Sequence, residues 1–189
     1  MTVGSVLLAA VTAQEACKKL GLAFCVIGGV ALQRWGEPRF TADADISVLI
    51  EAGQERRIAE ALLGELPARI DDAIGFATRT RVVLARSVHN VGIDIVLASL
   101  PFEARVIARA TPWSLGNGHS LRTCGAEDLV VMKVFAARDK DWADVTSILE
   151  RQGKKLDLDL IRQELVPLLE AKGEPDLLAE LEKRIKRHL

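Results

Sequence analysis

The chain has no tyrosine, and its aromatic residues amount to only 4% of it. So few flat side chains argue against a stacking platform for single-stranded nucleic acid. Cysteine is scarce too: Cys17, Cys25 and Cys124 are odd in number and show neither CxxC nor Cys/His spacing. A disulfide framework and a zinc site are therefore not expected, and buried thiols in a reducing cytoplasm are. Charge of one sign is also missing. The net charge is −1, so no global positive field draws in nucleic acid, and such a partner would need a local basic patch. Arg79, Arg81 and Arg86 form one candidate patch, with a solvated strand edge as the alternative. The group Lys183, Arg184, Lys186 and Arg187 reads as the cationic end of a helix. No apolar run reaches membrane-spanning length. The stretch Val6 to Val11 has no basic region before it and continues into Gln14, Glu15, Lys18 and Lys19. It is expected to be an amphipathic helix rather than a signal peptide, and no membrane partner is expected.

What is present suits a folded domain. Of 189 residues, 49% are apolar and 27% charged, enough to fill a core and too balanced for disorder. Helical spacing runs over residues 5–20, with Ser5 as a candidate N-cap and Gly21 as a stop. A short apolar strand, Ala23 to Ile27, enters the turn Gly28-Gly29, followed by a short helix from Val30 to Trp35. Residues 44–50 alternate as a strand, 54–66 form a helix, and 80–87 and 92–98 form two strands around a turn at His89-Asn90. Pro101 opens another helix, and Gly116-Asn117-Gly118 joins two short strands. From Glu127 onward the pattern is helical. The expectation is an α/β (α+β) fold: a mixed central sheet with helices packed on it in residues 1–123, then a helical region in 124–189.

The chemistry concentrates in one run, Gly28-Gly29-Val30-Ala31 through Arg39-Phe40-Thr41-Ala42-Asp43-Ala44-Asp45. Residues two apart in a strand share a face, so Asp43 and Asp45 point the same way. Adjacent carboxylates repel each other, and a site that keeps them together calls for a shared cation. Oxygen ligands without His or Cys suit Mg²⁺ or Mn²⁺. Asp94 stands alone in the apolar strand Gly92 to Leu97, where burial is costly unless it is paired or bound to metal. If that strand lies beside the first, Asp43, Asp45 and Asp94 converge as catalytic and metal-binding acids, the arrangement two-metal phosphoryl chemistry requires. The glycines let a phosphate approach the backbone at a helix N-terminus. Thr41 offers a hydroxyl to it and Arg39 a charge. Taken singly, a Gly-Gly pair is a turn, a lone DxD is a weak motif, and Arg39 and Thr41 are surface residues. Their order along the chain is what carries the reading.

In that order the sequence resembles the polymerase β-like nucleotidyltransferases. Gly28-Gly29-x-Ala31-Leu32 followed by Arg39-x-Thr41-x-Asp43-x-Asp45 is similar to their AbiEii-type branch, which includes toxins of type IV toxin–antitoxin systems. The resemblance implies Mg²⁺-dependent (or Mn²⁺-dependent) transfer of NMP from an NTP onto a hydroxyl. The acceptor is left open among tRNA or another RNA 3′ end, a protein and a small molecule, with an antitoxin as a further partner. A later stretch, Lys133 through Arg138-Asp139-Lys140-Asp141-Trp142-Ala143-Asp144, is similar to that branch's later motifs.

Lys133 lies in a helix that is apolar on every side, so it must snorkel, pair with a carboxylate or meet a phosphate. The resemblance implies nucleotide contact for Lys133 and Asp141. Asp141 and Asp144 share a helix face, and a salt-bridged surface with Arg138 and Lys140 is the alternative. A second function class is a catalytically weak nucleotide-binding or antitoxin-binding module, for which Leu165, Leu168 and Leu169 offer apolar surface unless they close the core.

Overall fold

The computed structural model describes residues 4–189, so the first three positions of the expected catalytic region lie outside the described residues. Two compact units are present. One comprises the chain up to Ala31 together with Phe40–Cys124, and the other comprises Leu32–Arg39 with Gly125–Leu189.

The first unit is built on a mixed sheet of six strands among the described residues, in the order β3-β4-β2-β1-β6-β5. The strands are β1 (Phe24–Ile27), β2 (Asp43–Leu49), β3 (Val82–Arg86), β4 (Gly92–Ala98), β5 (Thr111–Gly116) and β6 (His119–Thr123). β2 runs antiparallel to β1 and parallel to β4, while β3 closes antiparallel on β4. The central strands are apolar on the core face, where Ala44, Ile46, Val48, Ile93, Ile95 and Leu97 are essentially inaccessible to solvent.

Helix α1 (Ser5–Lys19) meets this face with Ala9, Ala10, Ala13, Ala16 and Cys17. These small residues recur at helical spacing and let the helix lie close on the sheet. One buried polar side chain fixes its register. Gln14 donates from Nε2 to the Ser120 carbonyl (2.9 Å) and accepts from the Arg122 amide (2.8 Å), so both ends of its amide are satisfied on β6. The helix starts after Gly4, which occupies the cap position expected for Ser5, and Gly21 follows it at φ +65°.

Helix α2 (Gly28–Trp35) begins two residues earlier than its apolar pattern indicates, so the glycine pair forms its first turn instead of preceding it. Helix α3 (Glu55–Glu65) buries Ile58, Ala59 and Leu62. Helix α4 (Ala73–Thr80) has no counterpart in the sequence reading. Its cap is Asp72, which accepts from the Gly75 amide at 3.1 Å, and Arg81 at φ +61° ends it. With Gly75 and two threonines inside, the segment lacks the propensity that marks a helix. Helix α5 (Pro101–Arg109) starts at proline, and Glu103 reaches back to accept from the Ser99 and Leu100 amides, each at 2.8 Å.

The second unit is helical: α6 (Ala126–Ala136), α7 (Asp139–Gln152), a 3₁₀ turn (Gly153–Lys155), α8 (Leu158–Lys172) and α9 (Asp176–His188). Leu129, Val130, Val134, Val145, Ile148, Leu149, Ile161, Leu181 and Ile185 are buried in it. Leu165 and Leu169 are buried there too, so they close the core and do not offer a free surface. The segment 32–39 is held on α7 by its backbone. Gln152 Nε2 donates to the Trp35 carbonyl (2.6 Å), the Glu37 amide donates to Ser147 Oγ (3.1 Å), and Arg151 donates to the Gly36 carbonyl. No helix among the described residues is long and apolar enough to cross a membrane.

Candidate active site

Strand pairing, not side-chain reach, brings the acids together. In the parallel pair β2/β4, Asp45 lies directly beside Asp94, and Asp43 lies beside Gly92. Asp45 is also opposite Ile27 at the end of β1, and Asp94 is opposite Leu84 on β3. Ile27, Asp45, Asp94 and Leu84 thus form one row across the sheet, with Asp43 two positions back on the same face. The adjacency of the two acid-bearing strands, which the sequence left as a condition, is present.

The glycine pair belongs to the same face. Gly28 has φ +63°, and a Cβ there would fall 2.1 Å from Asp45 Oδ2. At Gly29 a Cβ would fall 2.6 Å from Thr41 Oγ1. The close approach that glycine permits here is that of the protein's own Asp45 and Thr41 side chains. Thr41 in turn donates from Oγ1 to the Asp43 carbonyl at 3.2 Å, steadying the entry to β2.

Two further residues, which the sequence reading passed over, complete this arrangement. Pro67 to Arg69 runs along the outer edge of β3: Ala68 bridges to Ala85, the Arg69 amide donates to the Leu84 carbonyl (2.9 Å), and the Arg86 amide donates to the Pro67 carbonyl (3.0 Å). From that edge the Arg69 guanidinium reaches over Leu84. Its Nη2 is 2.6 Å from Asp94 Oδ1 and its Nη1 is 3.4 Å from Asp43 Oδ1. Asp94 Oδ1 is itself buried and receives no well-aligned hydrogen bond, so its contact with Arg69 is one of charge. Gly92 supplies the space, since a Cβ on it would sit 1.9 Å from Asp43 Oδ1 and 2.4 Å from Arg69 Nη1. Burial pushes the Asp94 carboxyl above its ordinary value and the Asp43 charge adds to this, with Arg69 offsetting only part.

Whether these residues suit a divalent cation can be judged from the donors. All are carboxylate oxygens, as Mg²⁺ or Mn²⁺ prefers. They share one face, and one buried oxygen lacks an aligned donor. In type and placement they fit. Among the described residues, however, no three acids are gathered tightly enough to hold a metal, and Arg69 supplies the positive charge.

The other expected nucleotide contacts, Arg39, Lys133 and Asp141, fall in the second unit, where they form a charge cluster. Lys133 is buried, 6% exposed, on α6. Its Nζ lies 3.0 Å from Asp141 Oδ1 and 2.8 Å from Asp144 Oδ2. Pairing with carboxylates, one of the fates its apolar surroundings leave open, is present. Arg39 makes a two-pronged contact with Asp144, 2.7 Å on each oxygen, and Arg138 caps Asp141. Burial alone would raise both acids. Hydrogen bonds from Arg138 and Lys133 to Asp141, and from Arg39 and Lys133 to Asp144, outweigh it and hold both carboxyls below their ordinary value. Asp141 and Asp144 are therefore buried ion-pair partners, not the salt-bridged surface that was the alternative.

The basic group Arg79, Arg81 and Arg86 is also engaged locally. Arg79 pairs with Asp72, Arg81 with Glu55 and the Leu97 carbonyl, and Arg86 with Asn90.

Comparison with known proteins bears on the fold and the family. Among solved structures, the antibiotic-resistance factor ANT(2″)-Ia matches with a TM-score of 0.54 at 17% identity, covering 94% of this chain and 95% of that one. Its complex with adenylyl-2″-tobramycin gives 0.54 and 17%, over 85% and 95% of the two chains. An antigenic nucleotidyltransferase-like protein from Paracoccidioides brasiliensis gives 0.52 at 16% identity, over 93% and 91%. At such identities these establish the shared fold. No curated protein sequence matches the chain. The family model "Nucleotidyl transferase AbiEii toxin, Type IV TA system" matches residues 12–188, nearly the whole length. With its acid row, glycine turn and polymerase β-like nucleotidyltransferase fold, the chain belongs to the AbiEii nucleotidyltransferase family.

Proposed function

We propose that this nucleotidyltransferase moves NMP from an NTP onto an acceptor hydroxyl in a Mg²⁺- or Mn²⁺-dependent reaction, with Asp43, Asp45 and Asp94 as its catalytic acids. The observation that carries this is the β2/β4 register, which sets Asp45 beside Asp94 with Asp43 on the same face. These carboxylates would hold the cation, which when bound neutralises triphosphate charge and makes the acceptor hydroxyl easier to deprotonate. Asp94, its carboxyl raised by burial, is suited to accept the hydroxyl proton. The freed oxygen then bonds to the α-phosphorus as the bond to pyrophosphate breaks. The amides at the start of α2, after Gly28 and Gly29, would offer donors to a triphosphate oxygen, and Thr41 would add a hydroxyl. Roles for Arg39, Lys133 and Asp141 in nucleotide binding remain part of the proposal on the strength of the sequence resemblance. Their ion pairs support a fixed arrangement of charge within their own unit.

The acceptor belongs to one of three classes: an RNA 3′ end, including that of tRNA, a protein hydroxyl or a small molecule. The family description supports a toxin role with an antitoxin as partner. Incubation with α-labelled NTPs and Mg²⁺ tests the chemistry. Label should pass to an acceptor with release of pyrophosphate, and Asp45→Asn should abolish it. Transfer that survives Asp45→Asn unchanged rules the site out.

A further inference from the structure

Arg69 contacts two of the acids and has no part in the transfer chemistry above. We propose that Arg69 is the resident counter-ion of the acid site: it holds Asp43 and Asp94 in place before a divalent cation arrives and competes with that cation for the same oxygens. The inference rests on the metal-dependent reading above, and it concerns what the chain does without the metal.

Three observations support it. The first is position, since backbone pairing of Pro67 to Arg69 with β3 places the guanidinium at the end of the row that contains Asp45 and Asp94. The second is geometry. A planar fork reaches two different acids, one nitrogen to each, bridging them as a shared cation would. The third is space. Gly92 has no Cβ at the point where Asp43 and Arg69 meet, so the bridge occupies room that any other residue would fill.

The physical need is plain. Acids held on one face repel each other, and a cation between them offsets that repulsion. Arginine meets that need with a planar, delocalised charge whose fork can reach both acids. It can also leave: its side chain is 30% exposed, and a partly exposed pair is weak enough to be exchanged.

Mn²⁺ alone, followed by electron paramagnetic resonance of the free ion, tests this on the full chain. Arg69→Gln should bind Mn²⁺ about tenfold more tightly than the wild type, as expected for loss of a competing partly exposed pair. It should also melt lower than wild type in chelator, with the gap narrowing on Mn²⁺ saturation. Should that variant fail to fold, the wild type carries the test through phenylglyoxal labelling mapped by mass spectrometry. Labelling of Arg69 should rise when Mn²⁺ is added without nucleotide. Equal or weaker Mn²⁺ binding by Arg69→Gln, or labelling that is unchanged or falls, overturns the counter-ion role and leaves the metal reading standing. If neither wild type nor Arg69→Gln binds Mn²⁺, both fall together.

Discussion

Asp94 is a partly buried carboxylate and Asp141 a fully buried one, and their surroundings push them in opposite directions. Asp94 sits in a strand where burial and the Asp43 charge raise it, and its link to Arg69 only partly compensates. The folded state thus favours its protonated form. Its cost to folding is full above the raised folded value and vanishes below the ordinary carboxylate range. Asp94→Asn should accordingly lower NMP transfer roughly 10²–10⁴-fold while leaving neutral-pH stability unchanged or higher, read by paired transfer assays and thermal melts. Gly28 makes the converse case. At φ +63° and with Asp45 Oδ2 in the space of a Cβ, Gly28→Ala should cost at least about 1–3 kcal/mol in urea unfolding. It should cost activity as well, because the atom displaced belongs to one of the proposed catalytic acids.

The acid pair and Asp94 were legible from residue types and spacing, because a strand's two-residue period sorts side chains by face. Arg69 and Gly92 were not. Arg69 lies in an aperiodic connection, and nothing local indicates which of many arginines will answer the charge of a cluster formed by distant strands. Gly92 looks like the first residue of a strand, and its role appears only once Asp43 is opposite.

At the scale of elements, the α6/α7 pair is organised by charge at its centre. Lys133 lies between Asp141 and Asp144, with Arg138 and Arg39 completing the arrangement. Lys133→Met would leave two buried acids short of a cation, and a loss of about 3–5 kcal/mol is expected in denaturant unfolding. The pH dependence has a definite sign. Asp141 and Asp144 are held low, so their stabilisation is complete above the ordinary carboxylate range and is lost as pH falls through their lowered values. Acid titration of unfolding free energy should show this loss in the wild type and a smaller one in Asp144→Asn. From the sequence, the all-apolar surroundings of Lys133 demanded a partner. Which one could not be known, since an eight-residue separation across a helix break leaves the geometry of return open. Helix α4 escaped for a different reason: its stability comes from an Asp72 cap and from packing against α3 and β3, not from its own composition.

For the whole molecule, the three cysteines give a probe of one unit. Cys17, Cys25 and Cys124 are buried and unlinked, and all belong to the sheet-bearing unit. Burial pushes the Cys17 thiol up to about 12, so even slight access yields little thiolate. Native protein should therefore give almost no reaction with an aromatic disulfide reagent, and all three thiols should appear together as that unit unfolds. Trp35 and Trp142 belong to the helical unit and Trp113 to the sheet-bearing one, so in a Trp113→Phe variant tryptophan fluorescence should follow the helical unit separately. The sheet and the helical region were both anticipated from pattern. The transfer of residues 32–39 to the helical unit was not, because it depends on backbone bonds to Ser147, Arg151 and Gln152 far along the chain.

The parallel pairing of β2 with β4 acts as a ruler for the reaction. Hydrogen-bonded strands lie about 4.8 Å apart and alternate their faces residue by residue. Inserting one residue into β4 ahead of Asp94 would turn that acid to the opposite face, although every motif would still be found in the sequence. A frame error of that kind is invisible to motif matching and fatal to chemistry. Homologues that tolerate insertions should therefore carry them in the connections and spare the paired strands.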